Sequence, residues 1–100
     1  MGYTCHHAII VSCNKIENLN IAHSKAIEIL HSPDPDGCSI DLVSNICGEG
    51  VNGICSFFIA PDGSNEWWPT SDFYNEKRQQ FIEWLKENNN YDWVLIQYGD

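Results

Sequence analysis

Nine residues, Cys5-His6-His7-Ala8-Ile9-Ile10-Val11-Ser12-Cys13, constrain the fold more than any other stretch of the chain. They are the first apolar run and rich in β-branched residues, which predicts a strand. Alternation places Cys5, His7, Ile9, Val11 and Cys13 on one face and His6, Ala8, Ile10 and Ser12 on the other. Both faces are apolar at mid-run, as in an inner strand covered on both sides or left partly wet on one. The remaining elements are expected to assemble on this strand.

Asn14 to Glu17 can form a capping-box-like helix start. A helix then runs to about His31, with Leu19, Ala22, His23, Ala26, Ile27, Ile29 and Leu30 at three-and-four spacing. The cluster Ser32-Pro33-Asp34-Pro35-Asp36-Gly37 stops it, because proline cannot continue a helix. From Cys38 to Cys47, Ile40, Leu42 and Ile46 alternate with Ser39, Asp41 and Asn45, which predicts a half-exposed second strand. A hairpin turn falls at Gly48-Glu49-Gly50 or at Asn52-Gly53, and Asn-Gly is the stronger type I′ signal.

Ile54 to Ala60 predicts a third strand, closed by Pro61-Asp62-Gly63. A wet loop carrying Trp67 and Trp68 leads to Ser71 or Asp72, either of which can cap a second helix. That helix runs to about Asn88 with Tyr74, Arg78, Phe81, Ile82 and Leu85 on one stripe, and Tyr91 to Tyr98 is the last strand. The order β-α-β-β-α-β predicts an α+β, ferredoxin-like fold. Its sheet would be four-stranded and antiparallel in spatial order 4-1-3-2, with both helices on one face. No repeat or linker divides the 100 residues, so a single domain over 1–100 is expected.

An apolar content of 43% excludes general disorder. No run reaches membrane-span length, and the start lacks the basic end and apolar core of a signal peptide. His6 stands where N-myristoylation wants Ser or Thr. A soluble protein of the cytosol is expected. Fourteen acids against five bases give a formal charge of −9. Phosphate contacts need Lys and Arg, so direct nucleic-acid binding is not expected; the balance suits steering toward a basic protein partner, and the bland alternative, the weightier of the two, is a merely soluble acidic protein. Five cysteines, an odd count, argue against a disulfide framework and leave buried thiols or metal ligands.

The predicted topology gathers Cys5, His7, His31 and Cys38 at one end of the sheet. Two thiolates and two imidazoles make a closed tetrahedral zinc set of the structural type, and His6 or His23 could replace a member. The bland alternative is half-buried thiols and surface histidines, with His23 a hydrogen-bonded core residue. Cys13, Cys47 and Cys55 read as core. No base, orienter and oxyanion donors converge on any cysteine, and Gly48-Glu49-Gly50 is too short and acidic to cradle phosphate, so no catalytic role is expected. Trp67-Trp68-Pro69, beside Glu66, is the odd surface feature; an exposed tryptophan is the commonest interface anchor, and the alternative is one Trp capping the core.

Cys5-His6-His7-Ala8-Ile9-Ile10-Val11, Ala22-His23, Phe58-Ile59-Ala60-Pro61-Asp62-Gly63-Ser64, Tyr91-Asp92-Trp93-Val94 and Gln97-Tyr98-Gly99-Asp100 together resemble a family of short phage and prophage proteins. Within that group the chain resembles anti-CRISPR proteins. The resemblance implies an inhibitor of a bacterial defence system, with Cas9 or its guide-RNA complex as target and a bound metal. The Trp67-Trp68 pair departs from the single tryptophan usual in the family. The reading from another class is a small-ligand-binding or regulatory domain of the ferredoxin-like type.

Overall fold

The computed structural model describes residues 5–30, 41–48, 50–63 and 68–99. Strand β1 (Cys5–Cys13) lies at the centre of a three-stranded antiparallel sheet in the order β2-β1-β3. β2 is Cys55–Ile59 and β3 is Asp92–Gly99. Ile9 faces both Ile59 and Leu95, and Val11 faces both Phe57 and Trp93. The inner position expected of the first apolar run is therefore the observed one.

Helix α1 spans Ile16–Leu30, and α2 spans Pro69–Glu87. Leu19, Ala22, Ala26 and Leu30 of α1 are buried, as their spacing requires, while Ile27 of the predicted stripe is exposed. Tyr74, Arg78, Phe81, Ile82 and Leu85 of α2 are all buried. These side chains meet Ile9, Val11, Cys13, Cys55, Phe57 and Ile59, so both helices cover one face of the sheet. α2 begins earlier than Ser71 or Asp72: Pro69 takes the first turn, where its missing N–H costs no hydrogen bond, and Trp68 precedes it as N-cap. At the other end Asn88 closes the helix, its side-chain amide donating to the Trp84 carbonyl at 2.8 Å.

The four-stranded ferredoxin-like sheet is not what forms. Of the predicted second strand, residues 41–47 join β2 only through two isolated bridges, Val43 with Ile59 and Cys47 with Ser56. Between those bridges the segment has one more residue than β2, a bulge that breaks the ladder. Ser44 sits at the break. Its N–H donates to the Phe58 carbonyl at 2.9 Å, but the return bond from the Phe58 N–H ends on Ser44 Oγ at 2.8 Å. The Ser44 carbonyl instead accepts from His23 Nε2 at 2.9 Å. A helix histidine and a serine hydroxyl thus replace part of a strand ladder.

The turn between this segment and β2 does follow the sequence. Val51–Gly53 forms a short 3-10 turn in which Asn52 (φ 62°, ψ 21°) and Gly53 (φ 74°) are left-handed. Those are the two positive-φ positions of a type I′ turn, closed by the Ile54 N–H on the Val51 carbonyl at 3.4 Å.

Candidate functional site

β1 carries two members of the predicted zinc set, Cys5 opposite Gly99 and His7 opposite Gln97. His31 and Cys38 lie outside the described residues, so their position relative to β1 is not defined. Among the described residues no group of three or more His, Cys, Asp or Glu could hold a metal ion. His23, the possible substitute, is committed elsewhere, with Nε2 on Ser44 and its ring edge-on to Phe57 at 5.1 Å. Cys13 and Cys55 are buried opposite one another in the β1–β2 register, whereas Cys47, also read as core, is exposed.

His7 instead lines a cavity of about 180 Å³ with Asn75, Arg78, Gln79, Ile82 and Leu95. Arg78 dominates its chemistry. The side chain is 3% exposed and pairs with Asp62 at 2.7 Å. It also donates to Asn75 Oδ1 at 3.2 Å and to the Ala60 carbonyl at 3.5 Å, and its buried Nε–H has no partner among the described residues. The arginine was visible as a member of the α2 stripe. Its partner was not, because Asp62 lies in a turn 16 residues earlier.

Of the predicted interface residues, Glu66 and Trp67 lie outside the described residues. Trp68 is 52% exposed at the start of α2. The helical layer bears the charges: Glu17 and Glu28 of α1 and Asp72, Glu76, Glu83 and Glu87 of α2 are exposed. Lys25 is held by Glu28 at 3.5 Å, and Lys77 lies over the Phe73 ring at 5.3 Å.

Among the described residues no helix lies on the opposite face of the sheet. There Ile10 (38% exposed), Phe58 (47%) and Val94 (49%) form one row across the three strands, and Tyr98 (53%) stands beyond it. Sequence reading put both helices on one face and left the other partly wet, but it did not show that Ile10, Phe58 and Val94 fall in one row. Among the described residues the two sides are thus unlike: a charged helical side and a mainly apolar sheet side with Asp92 at one end.

Comparison with family models, with curated proteins and with solved structures returns no match. Among the described residues no helix is long and apolar enough to cross a membrane.

Proposed function

We propose that this chain is a non-enzymatic inhibitor that works by binding a basic host protein through its acidic surface in the bacterial cytoplasm. The observation that carries the reading is the charge of −9. Carboxylates on the α1–α2 side would occupy a surface that its owner keeps for nucleic acid, and Trp68 would anchor the rim of the contact. The resemblance to anti-CRISPR proteins narrows the partner to Cas9 or its guide-RNA complex.

The test is capture from a Cas9-expressing host on immobilised chain at rising ionic strength. Retention at low salt that falls as salt rises is the expected result. No retained partner at low salt removes the proposal.

Zinc on Cys5, His7, His31 and Cys38 belongs to the same proposal as a structural staple. Elemental analysis of untagged protein is expected to give about one zinc per chain. Chelation or acid then lowers the melting temperature: a chelator competes for the ion, and protons compete for the thiolates and neutral imidazoles that hold it. Cys5→Ser and Cys38→Ser each lose the metal and Cys55→Ser keeps it. A metal content near zero ends the assignment.

One observation favours the small-ligand alternative, the Nε–H of Arg78 beside the His7 cavity, which has no partner among the described residues. At about 180 Å³ the cavity is smaller than the roughly 300 Å³ at which ligand sites begin. Only a small acceptor-bearing group fits, not a whole nucleotide. Native mass spectrometry of the purified protein checks this: a bound adduct lost in Gln79→Ala supports the cavity, and a bare mass excludes it.

A further inference from the structure

Two buried thiols face one another across the β1–β2 ladder. Cys13, the last residue of β1, is opposite Cys55, the first residue of β2. Both side chains belong to the core on the helix-covered face, and both thiols are free. The ladder fixes their separation. Ser56 exchanges N–H and carbonyl with Cys47, both at 2.7 Å, so these groups point away from β1. Ser12 and Ser56 are therefore a non-hydrogen-bonded pair, and the adjoining Cys13 and Cys55 are a hydrogen-bonded one, with Cα atoms about 5.5 Å apart. That lies within the range of roughly 4.4 to 6.8 Å that a disulfide spans.

The Cys55 sulfur is also approachable. It lines a cavity of about 410 Å³ with Ile16, Asn20, Ile46 and Gly48. Gly48 leaves it room, since a Cβ there would collide with Cys55 Sγ. The segment before Gly48 is held to β2 by two isolated bridges rather than a ladder. Each thiol has only a weak bond to give up: Cys13 donates to the Asn90 carbonyl at 3.4 Å and Cys55 to the Gly53 carbonyl at 3.6 Å.

We infer that Cys13 and Cys55 are a thiol-modification site, a reversible cross-strand disulfide made by exchange with a small disulfide such as oxidised glutathione. The Cys55 thiolate attacks one sulfur of the small disulfide, forms a mixed disulfide and expels one small thiolate. The Cys13 thiolate then attacks Cys55 Sγ, closing the cross-strand bond and expelling the second. The protein dithiol loses two electrons, the small disulfide gains them, and the two protons leave on the two small thiols. The new bond closes a covalent ring of about forty residues that contains α1. It also takes the donor away from the Asn90 carbonyl, between α2 and β3.

Strain keeps the bond reversible. Cβ atoms of directly opposite residues lie about 4.5 to 5.5 Å apart, against about 3.5 to 4.5 Å in a disulfide. Both cysteines end their strands, so the backbone can draw in, and the remaining strain makes the bond easier to reduce.

The inference stands on the β1–β2 register and does not require the inhibitor reading, whose test reads a partner and no thiol. The folded full chain is incubated with oxidised and reduced glutathione in varied ratio, then quenched in acid, unfolded, alkylated and weighed. The oxidised chain is expected to take two alkyl groups fewer than the reduced one, and excess reduced glutathione to restore them. Cys13→Ala and Cys55→Ala are each expected to keep every remaining thiol, whereas Cys47→Ala still loses two. Proteolytic mapping of the wild-type chain reads the same bond without a variant, by joining the fragment that holds Cys13 to the one that holds Cys55. An unfolded chain instead favours the pairs nearest in sequence, Cys5 with Cys13 and Cys47 with Cys55, where loop closure costs least. Those pairs in the folded chain overturn the inference. So do an unchanged thiol count, glutathione carried on Cys47 alone, and a bond that excess reduced glutathione leaves intact.

Discussion

Arg78 is the one charged side chain buried among the described residues, and its ion pair with Asp62 makes that position tolerable. Removing one partner leaves the other charge buried, which typically costs about 3 to 5 kcal/mol. Asp62→Ala is therefore expected to lower urea stability by about that amount. Arg78→Met in the Asp62→Ala background recovers part of the loss, because an apolar chain then fills the space. Gly48 gives a second coupled pair. A methyl there would collide with Cys55 Sγ, and overpacking of this kind costs about 1 to 3 kcal/mol. Gly48→Ala is expected to be milder when Cys55→Ala is already present, and a double-mutant cycle measures the difference. Tyr91 ties stability to pH. Its hydroxyl donates to the Asn18 carbonyl at 2.8 Å, and burial, then the neighbouring Cys13, raises its pKa above the usual tyrosine value. The folded chain thus holds this proton more tightly than the unfolded one. The contribution is complete below about pH 10 and is lost as pH rises through the folded-state value. Chemical denaturation across that range is expected to show a decline that Tyr91→Phe flattens.

At the scale of elements, what was legible followed from periodicity and local turn chemistry. Cys5–Cys13, both helical stripes and the Asn52-Gly53 turn are local patterns, and all of them form. The last strand was also readable, displaced by one residue to Asp92–Gly99. The predicted second strand failed for a non-local reason. Alternation in Leu42 and Ile46 is real, but His23, on a helix 21 residues earlier, takes the Ser44 carbonyl that a ladder would use. No pattern within residues 38–47 could reveal that. The start of α2 was misplaced for a simpler reason, since Ser71 and Asp72 are good caps but Pro69 is a good first residue. Of the candidate site, the residue types were legible and their grouping was not. His7 was placed on one face with Ile9 and Val11, which the register bears out, yet its neighbours came from α2 and β3. Ser44→Ala tests the break directly: it removes the acceptor for the Phe58 N–H and is expected to cost about 0.5 to 1.5 kcal/mol. Amide exchange at Phe58 should rise, with Ile59 and Ala60 less affected.

The whole molecule is a sheet with unlike sides, helices and charge on one and an apolar row on the other, and its central strand comes first in the chain. Every pairing of β1 is long-range. The nearest, Cys13 with Cys55, closes a loop of about forty residues, and the farthest, Cys5 with Gly99, closes nearly the whole chain. Such topology slows folding because loop closure precedes any reward from contact. Stopped-flow refolding is expected in milliseconds to seconds rather than microseconds. There is a consequence for synthesis. A ribosome delivers Cys5–Cys13 long before either neighbour exists, so the nascent chain carries a β-branched strand with two unsatisfied edges. Until residue 92 emerges, nothing can cover the second edge. Translation of this chain therefore places a demand on chaperones out of proportion to its size, and a ribosome stalled between β2 and β3 would hold out a template for aggregation.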